Sequence, residues 1–135
     1  MALTHKWAVI AASVVLAMGC GGGSGGGTPT APGNPTNPTP VATTTITITA
    51  AGVNPQVITV PVGSRVTFIN NDSRSHEMHS DPHPNHGDCP PIDDVGFISA
   101  GQTKQTGNLT VVRTCGFHDH NLPDIANLRG QIIVQ

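Results

Sequence analysis

From residue 43 onward, the apolar residues follow the two-residue period of a β-strand. Residues 44–50 alternate Thr with Ile46 and Ile48, the pattern of a strand with one buried face. Similar short segments recur to the C-terminus between Gly, Pro and Asn residues, and none has a helical apolar stripe with capping residues. The sequence therefore predicts an all-β domain over residues 43–135, a Greek-key β-sandwich or barrel.

The predicted strands cover short segments that are separated by turn-forming residues. They are residues 44–50, 56–60, 65–70, 75–80, 96–99, 104–109, 110–114 and 131–134. Residues 61–64 read Pro-Val-Gly-Ser, a turn sequence, so we expect the strands on either side of it to form a hairpin. A domain this small buries a modest core, and a metal or a disulfide commonly adds stability.

Residues 1–20 have the features of a targeting segment. Polar residues His5 and Lys6 precede an apolar run at 7–17, which is too short for a membrane-spanning helix. The sequence Leu-Ala-Met-Gly-Cys at 16–20 resembles a bacterial lipoprotein box, which implies lipidation of Cys20. The alternative is an ordinary secretory signal with an incidental cysteine. Either predicts a location outside the cytoplasm, and lipidation predicts an anchored protein in the periplasm or at the outer membrane.

Residues 21–42 form the predicted tether. They are rich in Gly and then in Thr, Pro and Asn, a composition that favours a flexible and then more extended chain without a core. The tether would hold the domain away from the membrane.

The charge balance excludes one class of partner. Removing the leader removes one of six basic residues, so five basic residues face eight acidic ones and the net charge is −3. Nucleic-acid binding normally needs a basic surface, so we expect no nucleic-acid partner.

No hydrolase pattern is present, and we expect a monomeric binding protein rather than an enzyme.

The chemistry is concentrated near the C-terminus. Residues 113–120 contain Cys115, His118 and His120 between two predicted strands, and thiolate and imidazole are the ligands that copper, zinc and iron accept. A single short loop rarely surrounds an ion. His76, which follows the strand at 65–70, is the candidate ligand from a distant part of the chain.

These features resemble the cupredoxins, the plastocyanin-like blue-copper domains. A strand ends in Asn70-Asn71, a histidine lies six residues after Asn70, and Cys115-x-x-His118 precedes the last strand. The resemblance covers about residues 44–135. It implies copper held by His76, Cys115 and His118, and a one-electron carrier that serves redox partner proteins.

The fourth ligand stays open in this interpretation. The methionine that the family commonly places five residues after the histidine is replaced by Pro123. An alignment on Gly130 puts Leu128, which cannot coordinate, at the axial position. The remaining neighbours that can act as a fourth ligand are His120, Glu77, Met78 and His79.

Two further features support alternatives. Cys89 can pair with Cys115 in an oxidising compartment, which would remove the thiolate and leave a metal-free, disulfide-stapled interaction module.

The segment after His76 carries His79, His83 and His86, and Pro82 and Pro84 exclude a helix there. These three histidines are a candidate second metal site, and they suggest copper capture and delivery as an alternative function. A solvated polar loop rich in histidine is the other interpretation.

The lipid anchor can be tested by Cys20→Ala. Because lipidation is the membrane attachment predicted from this sequence, the variant should move from the membrane fraction to the soluble fraction. Fractionation of cells followed by immunoblotting measures this. An unchanged distribution would remove the lipoprotein interpretation.

Overall fold

The computed structural model describes residues 37–135. The predicted signal peptide, the lipidation residue Cys20 and the tether up to residue 36 lie outside the described residues. Within residues 37–135, ten strands and two short 3-10 helices are present. In chain order they are β1 (Val41–Ala42), β2 (Thr45–Thr49), β3 (Gly52–Asn54), β4 (Val57–Val60), β5 (Thr67–Asn70), β6 (His76–Ser80), η1 (Pro90–Ile92), β7 (Gly96–Ile98), β8 (Thr103–Gln105), β9 (Arg113–Asp119), η2 (Ala126–Leu128) and β10 (Arg129–Val134).

The strands form two sheets. One has six strands in the order β1-β4-β10-β9-β6-β7, and the other has four in the order β3-β2-β5-β8. Strand β9 lies in the middle of the larger sheet, antiparallel to both β10 and β6. The predicted all-β sandwich is confirmed.

The predicted hairpin around residues 61–64 is wrong. Strand β4 pairs in parallel with β10 in the larger sheet, whereas β5 pairs in parallel with β2 in the smaller one. The turn therefore carries the chain from one sheet to the other. Half-buried and buried residues alternate along β5 and, from Ile58 onward, along β4. This periodicity does not distinguish strands that pair with each other from strands in facing sheets.

Strand boundaries differ from the prediction at two important places. Val41–Ala42 pairs with β4, so the last two residues of the segment that we predicted as tether form a strand of the domain. The predicted strand at 110–114 is shifted, because β9 covers Arg113–Asp119. The Cys115 to His118 segment therefore lies within a strand and not in a loop after one.

The core lies between the two sheets. Phe68 of β5 and Phe117 of β9 meet edge-on, with ring centroids 5.3 Å apart, a favourable aromatic geometry. Around them pack buried aliphatic side chains from both sheets, which include Ile46, Ile48, Ile58, Val60, Val66, Met78, Ile98, Ile132 and Val134. Burial of each such side chain typically contributes about 1.5–3 kcal/mol.

The turn after β5 is held by one buried amide. The Asn70 side-chain amide donates to the carbonyl oxygens of Arg74 (2.8 Å) and Ile98 (3.1 Å), and its oxygen accepts from the backbone N–H of Asp72 (2.9 Å). These bonds satisfy a buried polar group and fix the path of the chain into β6.

Among residues 37–135, no helix is long and apolar enough to cross a membrane.

Packing around Gly130 can be tested by Gly130→Ala. A Cβ at this position would collide with the carbonyl oxygen of Gln56 and the ring of Phe117. We expect the free energy of unfolding to fall by about 1–3 kcal/mol, measured by chemical denaturation. Gly87→Ala is the control, because its Cβ would meet no described atom within 4 Å, and its effect should stay within about 0.5 kcal/mol. Equal effects would contradict this packing.

Candidate metal centre

Side-chain alternation along β9 divides its chemical groups between two faces. Cys115 and Phe117 belong to the buried core between the sheets. Because successive strand residues point to opposite faces, His118 lies on the outer face of the larger sheet. Its direct partner on β6 is His79. His120 comes directly after Asp119, the last residue of β9.

Residues 81–88, the histidine loop, fold over this outer face. The backbone N–H of Asp81 donates to the Gly116 carbonyl oxygen (3.0 Å), and the N–H of Asp88 donates to the Asp81 carbonyl oxygen (2.9 Å). The Ser80 hydroxyl donates to the carbonyl oxygen of His86 (2.8 Å). His86 has a φ of 50°, a left-handed conformation that is uncommon for a residue other than glycine. The loop is thus held in a defined shape against β9.

Four histidines converge between the loop and the strand. Ligand atoms of His83, His86, His118 and His120 all lie within 4.8 Å of one another. Nε2 of His86 lies 3.1 Å from Nδ1 of His120, and the ring centroids of His86 and His118 are 5.3 Å apart. This set, called the histidine cluster below, can hold a transition-metal ion.

His118 is the buried member of the histidine cluster. Its Nδ1 lies 2.7 Å from Oδ1 of Asp81, and its side chain is 1% exposed. Within residues 37–135, its Nε2 is buried and has no hydrogen-bond partner. An unsatisfied buried nitrogen costs free energy unless something binds it, so the residues present fit a metal ion.

The pKa of His86 is lowered from its ordinary value. The first cause is burial, and the second is the neighbouring charges of His79, His120 and His118, which outweigh the opposite effect of Asp93. Both causes favour the neutral imidazole, which is the form that binds metals.

His79 lies beside the cluster rather than in it. Its ring stacks on His86 with centroids 4.3 Å apart, and its Nε2 lies 3.3 Å from Oε1 of Glu77. Its Nδ1 is 3.3 Å from Asp93 Oδ1, but the geometry is not that of a hydrogen bond. Of the predicted second site, the structure therefore places His83 and His86 in the cluster and His79 against it.

Cys89 and Cys115 form a disulfide, with Cα atoms 5.6 Å apart. Both residues are buried. This is the pairing that the sequence left as an alternative, and it occupies the sulfur of Cys115.

Comparison with known proteins finds similarity at the level of the fold. No protein-family model matches the sequence, and no curated protein matches it significantly. Solved structures do match. A purple cupredoxin from Nitrosopumilus maritimus has a TM-score of 0.50 and 18% identity, covering 67% of this chain and 98% of its own. An oxidised amicyanin mutant has a TM-score of 0.53 and 21% identity, covering 67% of this chain and 80% of its own. Plastocyanin from Dryopteris crassirhizoma has a TM-score of 0.52 and 17% identity, covering 67% of this chain and 99% of its own.

The domain has a cupredoxin-like fold. At these identities the likeness establishes the fold, and the predicted cupredoxin-like architecture is confirmed. Which residues bind a metal depends on the geometry of this chain.

The cupredoxin ligand triad predicted from the resemblance is not brought together here. Cys115 points into the core in its disulfide, whereas His118 points to the outer face. Residues three apart in one strand lie on opposite faces, so the two cannot share an ion while β9 keeps this conformation. Of the triad, only His118 belongs to the histidine cluster.

His76, the third member of that triad, is held by two carboxylates. Its Nδ1 lies 2.7 Å from Asp119 Oδ2, and its Nε2 lies 3.1 Å from Asp72 Oδ2. All three side chains are almost completely buried. Each ring nitrogen of His76 therefore lies at hydrogen-bond distance from a carboxylate oxygen. His76 is not a member of the histidine cluster.

The candidate fourth ligands lie in different parts of the domain. Met78 and Leu128 are buried in the hydrophobic core, and Glu77 lies near His79 and the side-chain amide of Asn121. His120 alone among these candidates is in the histidine cluster.

Sequence reasoning did not join His118 and His120 to His83 and His86. The i, i+2 spacing of His118 and His120 was the available indication, since it places both on one face of a strand. Nothing in the sequence indicated Asp81, which is 37 residues from its partner His118.

The buried Asp72 and His76 pair predicts a pH dependence. Burial would raise the pKa of Asp72, but hydrogen bonds from His76, Arg74 and the Ser73 backbone, with the Arg74 charge, lower it to about 2 from 3.8. The ionised carboxylate thus stabilises the fold above about pH 4, and this contribution is lost as the pH falls toward 2.

We therefore expect Asp72→Asn to lower the melting temperature at neutral pH. The difference from the unmodified protein should shrink between about pH 4 and pH 2, as followed by circular dichroism. Asp88→Asn is the control, since the Asp88 carboxylate pairs with Arg113 at a more exposed position, where ion pairs contribute little. A difference independent of pH would contradict this assignment.

Proposed function

We propose that this protein binds copper as Cu(II) through the histidine cluster and functions in copper capture and delivery. One observation carries the proposal. The Nε2 of His118 is buried and has no hydrogen-bond partner among residues 37–135, and the ligand atoms of His118 and three further imidazoles lie within 4.8 Å of one another. Imidazole is a good ligand for copper, zinc and nickel, and copper binds most strongly among the divalent ions.

The donor set favours the divalent ion. Cu(I) prefers thiolate and thioether ligands, but Cys115 is in the disulfide and Met78 faces the core. An amicyanin variant of similar fold was solved with Cu(I), at a TM-score of 0.50 and 22% identity. Its fold shows that such a sandwich can support copper, and the imidazole set of this chain suits Cu(II).

Exposure favours capture over a sealed redox centre. His83 is exposed and His86 and His120 are half-buried, whereas His118 is buried. An ion can therefore meet the outer histidines first and reach His118 afterwards. The bound ion supplies a Lewis-acidic and redox-active charge, and the protein selects, holds and releases it. We propose a binding protein without enzymatic activity, acting as a monomer that hands copper to partner proteins.

Location follows from two features. The leader with Cys20 supports a lipid anchor in the bacterial cell envelope, with residues 21–42 as the tether. The Cys89–Cys115 disulfide supports an oxidising compartment such as the periplasm.

One-electron transfer is the second candidate function, and the fold shared with plastocyanin and amicyanin favours it. Rapid electron transfer needs ligands that suit both copper oxidation states, which a Cys115 thiolate with His76 and His118 would supply. That site requires an open disulfide and a rearranged β9. Redox partner proteins would then replace copper-receiving partners.

The two functions differ in their copper spectra. We expect the oxidised protein to take up one equivalent of Cu(II) per chain and to show a weak ligand-field band with nitrogen couplings in electron paramagnetic resonance. An intense thiolate-to-copper charge-transfer band should be absent, because Cys115 is in the disulfide. His118→Ala should weaken binding at least tenfold, about 1.4 kcal/mol, measured against a competing chelator.

Asn85→Ala is the matched control, because Asn85 is an exposed residue of the same loop outside the histidine cluster. Its copper affinity should equal that of the unmodified protein. An intense thiolate band in the oxidised protein, or full affinity in His118→Ala, would overturn capture by the cluster. A thiolate band that develops only after a dithiol reductant would support electron transfer as a second state.

A further inference from the structure

We infer that Asp81 is a positioning residue for the histidine cluster, and that it determines which nitrogen of His118 is offered to the metal. The inference rests on the proposed metal site. Oδ1 of Asp81 lies 2.7 Å from Nδ1 of His118, and a carboxylate can only accept a hydrogen bond. The proton of the neutral ring must therefore be on Nδ1, which leaves the lone pair on Nε2.

The other nitrogen of His118 is placed accordingly. Nε2 is buried, and no described atom of residues 37–135 pairs with it. A neutral ring whose Nδ1–H is held by a carboxylate presents a fixed and more basic Nε2 to a metal ion. The site thus binds through Nε2 of His118, and Asp81 acts through that ring without contacting the ion.

Asp81 is itself held in place by the strand below it. Its backbone N–H donates to the Gly116 carbonyl oxygen (3.0 Å), which ties the start of the histidine loop to β9. Gly116 lies two residues before His118, so both face the loop. A Cβ on Gly116 would collide with the Asp81 carboxylate. The missing side chain therefore provides the space that the carboxylate occupies.

A competing partner for Asp81 is weaker. Nη2 of Arg129 lies 3.5 Å from the same oxygen, and the Arg129 side chain is half exposed, where an ion pair contributes little. The His118 contact is shorter, and the His118 side chain is 1% exposed. Orientation of His118 is therefore the main effect of the Asp81 carboxylate, and not surface charge.

The first test measures the His118 tautomer in the metal-free, oxidised protein. Long-range proton–nitrogen NMR correlation distinguishes a ring protonated at Nδ1 from one protonated at Nε2. We expect the unmodified protein to show His118 protonated at Nδ1, and Asp81→Ala to show a mixture or the Nε2–H form. Asp81→Glu should restore part of the Nδ1–H form, because its carboxylate can still accept from the ring.

The second test measures Cu(II) affinity by competition with a chelator. Asp81→Ala should lose about 10–100-fold, the usual effect of removing the partner of a ligating histidine. Asp88→Ala is the matched control, because it is an acidic residue of the same loop that pairs with Arg113 and not with a histidine. Its affinity and its His118 tautomer should be unchanged. Gly116→Ala should reproduce the Asp81→Ala result if it folds.

The outcomes separate this inference from the proposed function. If Asp81→Ala leaves His118 protonated at Nδ1, the inference is overturned whatever copper does. A changed tautomer with unchanged copper affinity also overturns it, since orientation would not serve binding. If the unmodified protein binds no Cu(II), the proposed function fails, whereas the tautomer in the metal-free protein still decides what Asp81 does to His118.

Discussion

The alternation of side chains along β9 determines what chemistry the domain can hold. Cys115 and Phe117 face the core, and His118 faces the histidine loop. The inward face contributes a disulfide and an aromatic contact to stability. The outward face contributes an imidazole to the cluster. A strand permits this division because its two faces are separated by the backbone itself, so the disulfide and the histidine cluster do not compete for the same space.

Much of the architecture was predictable because it depends on local periodicity. Ile46 and Ile48, two apart in β2, are both completely buried, as the alternation predicted. The separation of β4 and β5 into different sheets could not be predicted, since the same alternation suits a hairpin and two strands in facing sheets. The shift of β9 by a few residues was not predicted either, because Gly116 and Asp119 are residue types that are depleted in strands.

The shift of β9 changes which side chains can meet at the site, although it leaves the predicted fold unchanged. A loop at 113–120 could turn Cys115 and His118 toward one ion, whereas a strand sends them to opposite faces. His83 and His86 join the cluster because a proline-containing loop packs against a distant strand, and Asp81 contacts His118 across 37 residues of sequence. Such long-range placements depend on tertiary packing. The resemblance grouped His118 with His76 and Cys115, whereas the structure places His118 beside His83, His86 and His120.

The histidine cluster consists of two pairs on separate pieces of chain, His83 with His86 on the loop and His118 with His120 at the end of β9. The Cys89–Cys115 disulfide joins the chain just after the loop to the chain just before the second pair. The cluster therefore consists of two histidine pairs whose chain segments are joined by a short covalent link. If both pairs held the proposed copper ion, each pair would raise the effective concentration of the other at the ion. Release would then be able to begin at one pair, and a receiving protein would be able to supply its own ligands before the second pair let go.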